Sequence, residues 1–363
     1  MKKISQQELK NSFAPILIKW NKEQNTRQMP WKGEKDPYKI WLSEIILQQT
    51  RVEQGLSYYN NFIKTFPGVH QLARAPEAKI FKLWEGLGYY TRCRNLIISA
   101  KYISKELKGK FPDSYETIKA LKGVGPYTAA AISSFAFNLP HAVVDGNVFR
   151  VLARVFGIDK PVDSNQGKKY FTALAEELLD KKQPGIYNQA IMDFGAVICK
   201  PQPICSDCVF QKKCYAFQHN KINELPVKEK KITIKKRWFY YLILEYKNEI
   251  VIQQRTAKDI WHSLYEFPMI EAAGEMPVKK ILQQAEKKSW LEKGEYELIT
   301  ISPLYKQQLS HQLIAGQFIR VHLNKKSLEK NWIRLPQNKL RKYAFPQFIN
   351  QYLKKELQKQ ALF

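Results

Sequence analysis

Apolar residues recur at helical spacing through the first 220 residues of the chain. The spacing predicts helices over Ile40–Leu47, Ile80–Trp84, Leu96–Leu107, Val148–Phe156 and Leu174–Leu179. Proline and glycine residues separate these segments, as is usual between helices. The pattern therefore predicts an all-α domain over residues 1–227.

The pattern changes towards strands in the last third of the chain. Strands are predicted over Trp238–Tyr246, Ile250–Gln254, Glu297–Ile301 and Gly316–Leu323, with an intervening helix over Val278–Lys288. The first two strands flank a short polar turn, as in a hairpin. We expect a second, α+β domain over residues 238–363.

Residues 228–237, between these domains, are rich in lysine and end with Arg237. We predict a basic linker here. It has two open interpretations, contact with phosphates or simple exposure to solvent.

The chain is strongly basic, with 59 Lys and Arg against 33 Asp and Glu, a formal net charge of +26 over 363 residues. Such a charge suits a polyanion such as DNA, because release of counterions favours binding; a merely basic soluble protein is the alternative. No apolar run reaches the roughly 18 residues of a membrane span, and no apolar leader follows Met1. We expect a cytoplasmic, nucleoid-associated protein without a membrane partner.

The stretch Leu121–Thr128, with the sequence Leu-Lys-Gly-Val-Gly-Pro-Tyr-Thr, predicts a tight turn followed by a helix. Gly123 and Gly125 favour the turn, and Pro126 suits the first helical position. Around Val124 the turn would direct backbone N–H groups outward, where they bind phosphate. The pattern resembles the hairpin of a helix-hairpin-helix module, which grips a DNA strand by its backbone.

Four of the five cysteines, Cys199, Cys205, Cys208 and Cys214, are close together in the sequence. Four thiolates in one short loop can enclose a [4Fe–4S] cluster. Zinc and free thiols are the alternatives, but zinc sites of four cysteines usually use two C-x2-C pairs, and only Cys205 and Cys208 form one. Cys93 is predicted to be a small core residue.

The helical half resembles the helix-hairpin-helix DNA glycosylases that carry an iron–sulfur cluster, and the whole chain resembles the MutY-type adenine-DNA glycosylases. The resemblance covers nearly the full length. Its motifs are Met29–Trp31, Trp41–Thr50, Trp84–Tyr90, Leu121–Thr128, Val144–Asn147 and the four cysteines.

The resemblance implies that Glu44 protonates N7 of adenine. It also implies that Asp145 stabilises the oxocarbenium sugar or attacks C1′ transiently, with Asn147 and Tyr127 completing the sugar side of the site. Apolar neighbours would bury Glu44 and raise its pKa, as a general acid requires; a surface glutamate is the alternative. The alternative for Asp145 is the role of an ordinary helix cap, and one residue can be both a cap and the partner of the sugar.

Tyr127 separates two related subfamilies. Glycosylase/lyases of the endonuclease III type carry a lysine at this hairpin position, whose amine attacks the sugar as a Schiff-base nucleophile. Tyrosine cannot do so, and the resemblance therefore favours a monofunctional enzyme.

The resemblance also implies contacts with a flipped base and with the duplex around it. Gln49 and Tyr89 match residues that wedge into DNA beside the mispair. The base pocket is implied to include Arg27, Met29, Trp31 and Gln189. Core packing is the alternative for each of these residues.

The second domain resembles the Nudix-like domain of the same family, with Trp261–Pro268 and Tyr343–Pro346 as its markers. Its predicted helix lacks the glutamates of a Nudix hydrolase, so nucleotide hydrolysis is not expected. Ser310 and His311 match residues that contact 8-oxoguanine, but Leu309 stands where the family has phenylalanine. A polar surface turn is the alternative for this pair.

The cysteine spacing departs from the family pattern, because five residues separate Cys199 from Cys205 where the family has six. Five extended residues still reach roughly 20 Å, which is wider than a cluster. We therefore expect a [4Fe–4S] cofactor.

The expected substrate is double-stranded DNA with adenine opposite 8-oxoguanine or guanine, bound by a monomer. Two rival functions remain: an endonuclease III-like lyase and a non-catalytic iron–sulfur DNA-binding protein.

Overall fold

The computed structural model describes residues 5–229, 233–326, 329 and 331–360. The described residues divide into two compact units, one within residues 1–74 and 94–231 and the other within residues 75–93 and 232–363. The predicted domains, 1–227 and 238–363, differ from this division mainly at residues 75–93, which group with the second unit. No helix in the described part of the chain is long and apolar enough to cross a membrane.

The part of the chain before residue 230 is helical, and the five predicted helices are confirmed. The helix predicted from Leu96 begins earlier, at Tyr90, because the buried Tyr90 and Cys93 extend its apolar face; Cys93 is confirmed as a core residue. The α-helices described here are α1 (Gln6–Glu23), α2 (Pro37–Leu47), α3 (Val52–Thr65), α4 (Val69–Arg74), α5 (Glu77–Trp84), α6 (Tyr90–Lys105), α7 (Tyr115–Lys119), α8 (Pro126–Phe137), α9 (Gly146–Phe156), α10 (Asn165–Leu178), α11 (Pro184–Val197) and α12 (Tyr215–Gln218).

Aromatic side chains fill the core of the first unit. Phe13 of α1 and Phe194 of α11 are fully buried, and both contact Phe210. The ring of Phe210 stacks on Phe13 with the centroids 4.8 Å apart. Because Phe210 lies between Cys208 and Cys214, this contact anchors the cysteine-rich segment in the helical core.

The second unit is built on a mixed sheet, as predicted for an α+β domain. Its longest strands, Lys235–Tyr246 and Gln312–Leu323, run parallel, and the first of them pairs antiparallel with Glu249–Gln254 and Met269–Ala272. The strands and α-helices that the structure describes here are β1 (Lys235–Tyr246), β2 (Glu249–Gln254), β3 (Tyr265–Glu266), β4 (Met269–Ala272), α13 (Val278–Lys287), β5 (Tyr296–Ile301), β6 (Tyr305–Gln308), β7 (Gln312–Leu323), β8 (Ile333–Pro336) and α14 (Gln347–Gln360).

β1 is the central strand of this sheet. Residues Phe239–Leu244 are buried one after another, which is typical of a strand that is covered on both faces. Gly316 of β7 lies opposite Phe239, and a Cβ atom on it would come within 1.8 Å of the Phe239 carbonyl oxygen. Only glycine fits at this point of the sheet.

The prediction of a linker over residues 228–237 is wrong at its C-terminal end. Lys235–Arg237 already belong to β1 and pair with Gln312–Ile314 of β7. Arg237 forms ion pairs with Glu271 at 2.7 Å and Asp259 at 3.0 Å. The exposed lysines at the start of the strand conceal it in the sequence. Residues 230–232 of the predicted linker lie outside the described residues.

Residues 75–93 are held in the second unit by hydrogen bonds to the segment Tyr343–Pro346. Lys82 Nζ donates to the carbonyl oxygen of Tyr343 at 2.9 Å. The backbone N–H of Phe345 donates to the carboxylate of Glu85 at 2.7 Å. This segment, although helical, therefore packs with the sheet that follows much later in the chain.

Candidate active site

Glu44 lies on α2, a helix that is buried on nearly all sides. Asp36 caps this helix by accepting from the Tyr38 amide at 2.9 Å, and Pro37 occupies its first turn. The run Ile40–Ile46 is buried without interruption, and Glu44 is only 7% exposed. The burial rules out the alternative of a surface glutamate.

The surroundings of Glu44 favour its protonated form near neutral pH. Burial is the largest cause of a rise in the pKa of Glu44 to about 7. A hydrogen bond with Tyr127 acts to lower this pKa, and the negative charge of Asp145 acts to raise it. A carboxyl group with such a pKa can donate a proton at neutral pH.

Tyr127 lies in the first turn of α8, directly after the predicted hairpin. Its hydroxyl donates to Met192 Sδ at 3.3 Å and also faces the carboxyl of Glu44. Burial raises the pKa of Tyr127 well above its usual value, and the charges of Glu44 and Asp145 add to the effect. The phenol therefore stays neutral and can donate a hydrogen bond.

Asp145 caps α9, as predicted. One carboxylate oxygen accepts from the amides of Asn147 at 2.9 Å and Val148 at 2.8 Å, and the other accepts from the Asn147 side chain at 3.0 Å. Burial raises the pKa of Asp145, while the hydrogen bonds from Val148 and Asn147 oppose the rise. The N-terminus of α9, which is the positive end of the helix dipole, also favours a negative charge on Asp145.

One cavity of the first unit, of about 370 Å³, is lined by all the residues predicted for catalysis and for the base pocket. We call it the base cavity. The predicted residues that line it are Arg27, Met29, Trp31, Glu44, Tyr127, Asp145, Asn147 and Gln189. It also includes Lys32 and Met192, which the sequence analysis did not single out.

Asp193 is another residue that the sequence analysis missed. It is fully buried and forms ion pairs with Arg27 at 2.8 Å and Lys32 at 3.1 Å. Asp193 follows Gln189 by one turn of α11, and this spacing in the sequence indicates that both side chains lie on the same side of the helix.

The hairpin has the predicted turn, with one correction. Gly123 has a φ of +84°, and a Cβ there would come within 2.7 Å of the Asn95 side chain. The amide of Val124 donates to the Leu121 carbonyl oxygen at 3.1 Å, so it does not face outward as predicted. No side chain caps α8, and the space beside Gly125 is open. The helix start therefore leaves room for a phosphate.

The two predicted wedge residues share an unusual backbone conformation. Gln49, in the first unit, has a φ of 56°, and Tyr89, in the second unit, has a φ of 48°. Both side chains are exposed. Non-glycine residues in this left-handed region are uncommon and concentrate at functional sites.

Ser310 and His311 lie with Leu309 in the short loop between β6 and β7. Both side chains are exposed, which agrees with the alternative interpretation of this pair as a polar surface turn. The hydroxyl of Ser310 hydrogen-bonds to the hydroxyl of Tyr89 within the second unit. The structure thus brings a predicted wedge residue and a predicted lesion-contact residue together.

The four clustered cysteines line one small cavity of the first unit and form no disulfide bonds. Burial raises the pKa of Cys208 to about 12 and that of Cys214 to about 11. Among the described residues, no three Cys, His, Asp or Glu side chains are grouped closely enough to hold a single metal ion.

Two arginines of α9 contact the cysteine segment, and Arg150 also connects it with the base cavity. Arg150 donates to the Asn147 side chain at 2.8 Å and to the Cys199 carbonyl oxygen at 2.7 Å. The Arg154 guanidinium lies 3.8 Å from Cys199 Sγ and donates to the carbonyl oxygen of Lys200 at 2.8 Å. The sequence analysis missed both, although helical spacing places them on one face with Asn147.

Comparisons with known proteins agree with this architecture. Residues 42–183 match the HhH-GPD superfamily of base excision DNA repair proteins, and residues 239–355 match the NUDIX domain. These matches confirm the predicted fold class.

Similar curated proteins include two adenine DNA glycosylases. That of Buchnera aphidicola subsp. Baizongia pistaciae is 36% identical over 327 residues, which are 88% of each chain. That of Mus musculus is 40% identical over 217 residues, covering 57% of this chain and 42% of the mouse protein.

Similar solved structures share the helical fold. A thermostable thymine-DNA glycosylase aligns with a TM-score of 0.55 and 29% identity, over 59% of this chain and 98% of its own. A trapped endonuclease III–DNA covalent intermediate aligns with a TM-score of 0.52 over 60% of this chain and 99% of its own. Its identity of 18% indicates a common fold alone.

Proposed function

The chain belongs to the family of adenine DNA glycosylases, and on that premise we propose that its base cavity hydrolyses the bond between adenine and deoxyribose opposite 8-oxoguanine or guanine. One observation carries the proposal. Two acidic residues, Glu44 and Asp145, share this cavity in different surroundings, one on a buried apolar helix and the other at a helix cap with three N–H donors. Two carboxyl groups in such different surroundings can take different roles, one as a proton donor and the other as a stabiliser of positive charge.

Glu44 is the proposed general acid. Its proton passes to N7 of adenine as the C1′–N9 bond breaks, and the bonding electrons leave with the neutral base. The raised pKa of Glu44 keeps this proton available near neutral pH. Tyr127, held neutral by burial, hydrogen-bonds to the carboxyl group and orients it.

Asp145 is the proposed partner of the sugar. Positive charge develops at C1′ as adenine leaves, and the carboxylate either stabilises it or bonds to C1′ for a moment. A water molecule then supplies the oxygen that ends on C1′, and the ionised Glu44 is a base for its proton. Asn147 fixes Asp145 through two hydrogen bonds, one from its amide and one from its side chain.

The proposed reaction ends at the abasic site. A lyase reaction needs an amine near C1′ to form a Schiff base. Tyr127 occupies the hairpin position where the related lyases carry lysine, and its phenol cannot form an imine. The endonuclease III-like alternative is disfavoured on this ground.

Adenine must leave the base stack before it can reach a buried glutamate. Gln49 and Tyr89 are the proposed wedges, and their exposed side chains on strained backbone support this role. Gly123 and Gly125 are proposed to hold the strand at a phosphate through the amides at the start of α8.

The lesion is proposed to be read by Ser310 and His311. Both are exposed in the loop between β6 and β7, and each has groups that can hydrogen-bond to a base edge. Leu309 offers no aromatic ring for stacking on a base, so discrimination depends on these two polar residues.

A [4Fe–4S] cluster is the proposed cofactor of Cys199, Cys205, Cys208 and Cys214. Two sulfurs on one zinc ion lie at most about 4.6 Å apart, whereas a cubane binds each thiolate through a separate iron. The four cysteines line one cavity without disulfide bonds, and only Cys205 and Cys208 form the C-x2-C pair that is usual in zinc sites, which favours the cubane. The cluster would supply structural support for the loop, and the proposed chemistry uses no step at it.

A single incubation tests the proposed function. The protein is mixed with duplexes that contain adenine opposite 8-oxoguanine, and strand cleavage is measured with and without alkali. Cleavage only after alkali, together with free adenine, supports the proposal. Cleavage without alkali supports a lyase, and binding without release of adenine supports a non-catalytic DNA-binding protein.

A further inference from the structure

A second cavity of the first unit, of about 480 Å³, shares no residue with the base cavity and has no part in the proposed reaction. It lies between α6, the segment that follows this helix, α7 and the first residues of the hairpin. We call it the side groove. Apolar side chains form most of its wall, namely Ile98, Tyr102, Leu107, Phe111, Pro112 and Leu121.

Two of these apolar residues form an exposed edge along the groove. Ile98 is 50% exposed and Tyr102 is 49% exposed, whereas Phe111 and Leu121 are buried. Ile98 and Tyr102 are four positions apart on α6, so their side chains lie on the same face of the helix. Single exposed apolar residues are ordinary, but an exposed apolar face beside a cavity is typical of a binding surface.

Lysine residues surround this apolar surface. Lys110 and Lys122 line the groove, and Lys105 ends α6. The side chains of Lys105 and Lys110 are 86% and 84% exposed, and each lies 3.8 Å from an acidic side chain, Glu106 and Asp113 respectively. Exposed ion pairs of this length are weak, so these lysines can pair with other carboxylates.

The combination of an apolar floor and a basic rim distinguishes between possible occupants. DNA phosphates can pair with the lysines, but contact with the apolar floor would remove their water without compensation. A second copy of the chain would bring its own formal charge of +26 to the lysine rim, and like charges oppose such an association. A peptide with acidic residues and a large apolar residue suits both parts of the surface.

The side groove adjoins the hairpin that is proposed to hold DNA. Leu121 and Lys122 line the groove and also begin the hairpin. Ser99 Oγ donates to the carbonyl oxygen of Lys122 at 3.0 Å, which fixes the start of the hairpin against α6. The lining ends at Lys122, before the backbone amides at the start of α8. A peptide in the groove therefore leaves these amides accessible to a phosphate.

We propose that the side groove is a docking site for an acidic segment of a partner protein. A leucine or aromatic side chain of that segment enters the cavity beside Ile98 and Tyr102, and its carboxylates pair with the lysine rim. The partner binds at the same time as DNA, beside the hairpin. The proposal does not depend on the reaction in the base cavity.

Selection of random short peptides displayed on phage tests the chemistry of the partner. The peptides are selected on the full-length wild type and counter-selected on Ile98→Ser/Tyr102→Ser, which removes the exposed apolar edge without changing the charge. We expect enrichment of peptides that combine Asp or Glu with Leu, Phe or Trp. No enrichment, enrichment of basic peptides, or equal binding to the variant would overturn the proposal.

The most enriched peptide is then synthesised with a fluorescent label, and its dissociation constant is measured by anisotropy. Ile98→Ser/Tyr102→Ser and Lys110→Glu should each weaken binding by about tenfold or more, and added salt should weaken it further. Tyr170→Ser/Ile299→Ser is the matched control, because it removes an exposed tyrosine and an exposed isoleucine outside the groove. The control should keep the wild-type affinity, and equal losses in all variants would contradict the site.

Titration with duplex DNA separates the proposed partner from DNA as the occupant. We expect the labelled peptide to stay bound at saturating duplex, and Ile98→Ser/Tyr102→Ser to bind the duplex as the wild type does. Displacement of the peptide by the duplex, together with weaker duplex binding by this variant, would assign the groove to the DNA surface and overturn the proposal. If thermal melting shows that the double variant does not fold, Tyr102→Ser alone is used in both measurements.

Discussion

The hydroxyl group of Tyr89 hydrogen-bonds to the hydroxyl group of Ser310, which lies 221 positions later in the chain. Tyr89 precedes α6 in a left-handed conformation, and Arg92 lies over its ring at 5.2 Å from the centroid. Ser310 lies at the tip of the loop between β6 and β7. Within the second unit, the proposed wedge and the proposed reader of the lesion therefore form one hydrogen-bonded pair.

This pair predicts coupled effects on lesion preference. Tyr89→Phe keeps the ring for wedging but removes the hydroxyl, and Ser310→Ala removes its partner. Each should lower the preference for adenine opposite 8-oxoguanine over adenine opposite guanine a few-fold, in line with roughly 0.5–1.5 kcal/mol for one hydrogen bond. The measurement is the ratio of single-turnover rates on the two duplexes.

The double variant should lose no more than either single variant, since both remove the same bond. Tyr102→Phe is the control, because Tyr102 is an exposed tyrosine on α6 with a similar exposure. Independent, multiplying effects of the two changes would contradict the coupling.

Local patterns were sufficient to predict the surroundings of Glu44 and Asp145. The apolar neighbours of Glu44 in the sequence are the same residues that bury α2, and the cap at Asp145 depends on amides two and three residues away. Interactions of this range are visible in a sequence because the helix itself brings the residues together.

Contacts between distant segments were not predictable in the same way. Arg27 and Asp193 are 166 positions apart, and only the packing of α11 against the segment before α2 brings them together. Residues 75–93 have a helical pattern, yet they group with a unit whose other members begin at residue 232. The start of β1 was not predicted because its first two lysines are exposed and Arg237 forms ion pairs with Asp259 and Glu271, which belong to other segments.

Asp145→Asn should abolish turnover while the fold is kept. Asparagine caps helices as well as aspartate does, so α9 should remain intact. It cannot carry the negative charge that the developing oxocarbenium ion requires. We expect wild-type thermal stability within a few degrees and a large loss of single-turnover rate on duplexes with adenine opposite 8-oxoguanine.

Asp36→Asn provides the matched control, because Asp36 caps α2 through the Tyr38 amide in the same manner. It should retain nearly full activity. Equal losses in the two variants would show that the cap, rather than the charge of Asp145, explains the effect.

The pH dependence should report the protonation of Glu44. Its pKa is raised to about 7, and the protonated form is the active one, so the rate should fall as the pH rises through this value. Tyr127→Phe removes a hydrogen bond that lowers the pKa of Glu44, so the fall should move to higher pH. A shift to lower pH, or none, in single-turnover profiles would contradict this arrangement.

Cysteine variants should separate the proposed cluster ligands from the core cysteine. Cys208→Ser should lose iron and lower the unfolding temperature, because the loop anchored by Phe210 loses its cofactor. Cys93→Ser changes a buried cysteine outside the group and should keep the full iron content. Iron and zinc are measured by elemental analysis; stoichiometric zinc in the wild type would contradict the cluster.

The most direct test of the account is adenine release by Glu44→Gln under single-turnover conditions, on a duplex with adenine opposite 8-oxoguanine. Glutamine preserves the shape of the buried side chain but has no acidic proton. We predict duplex binding close to that of the wild type and a rate lower by about 10²–10⁴-fold, the usual contribution of a general acid. Release of adenine at the wild-type rate would contradict the assignment of Glu44 as the acid.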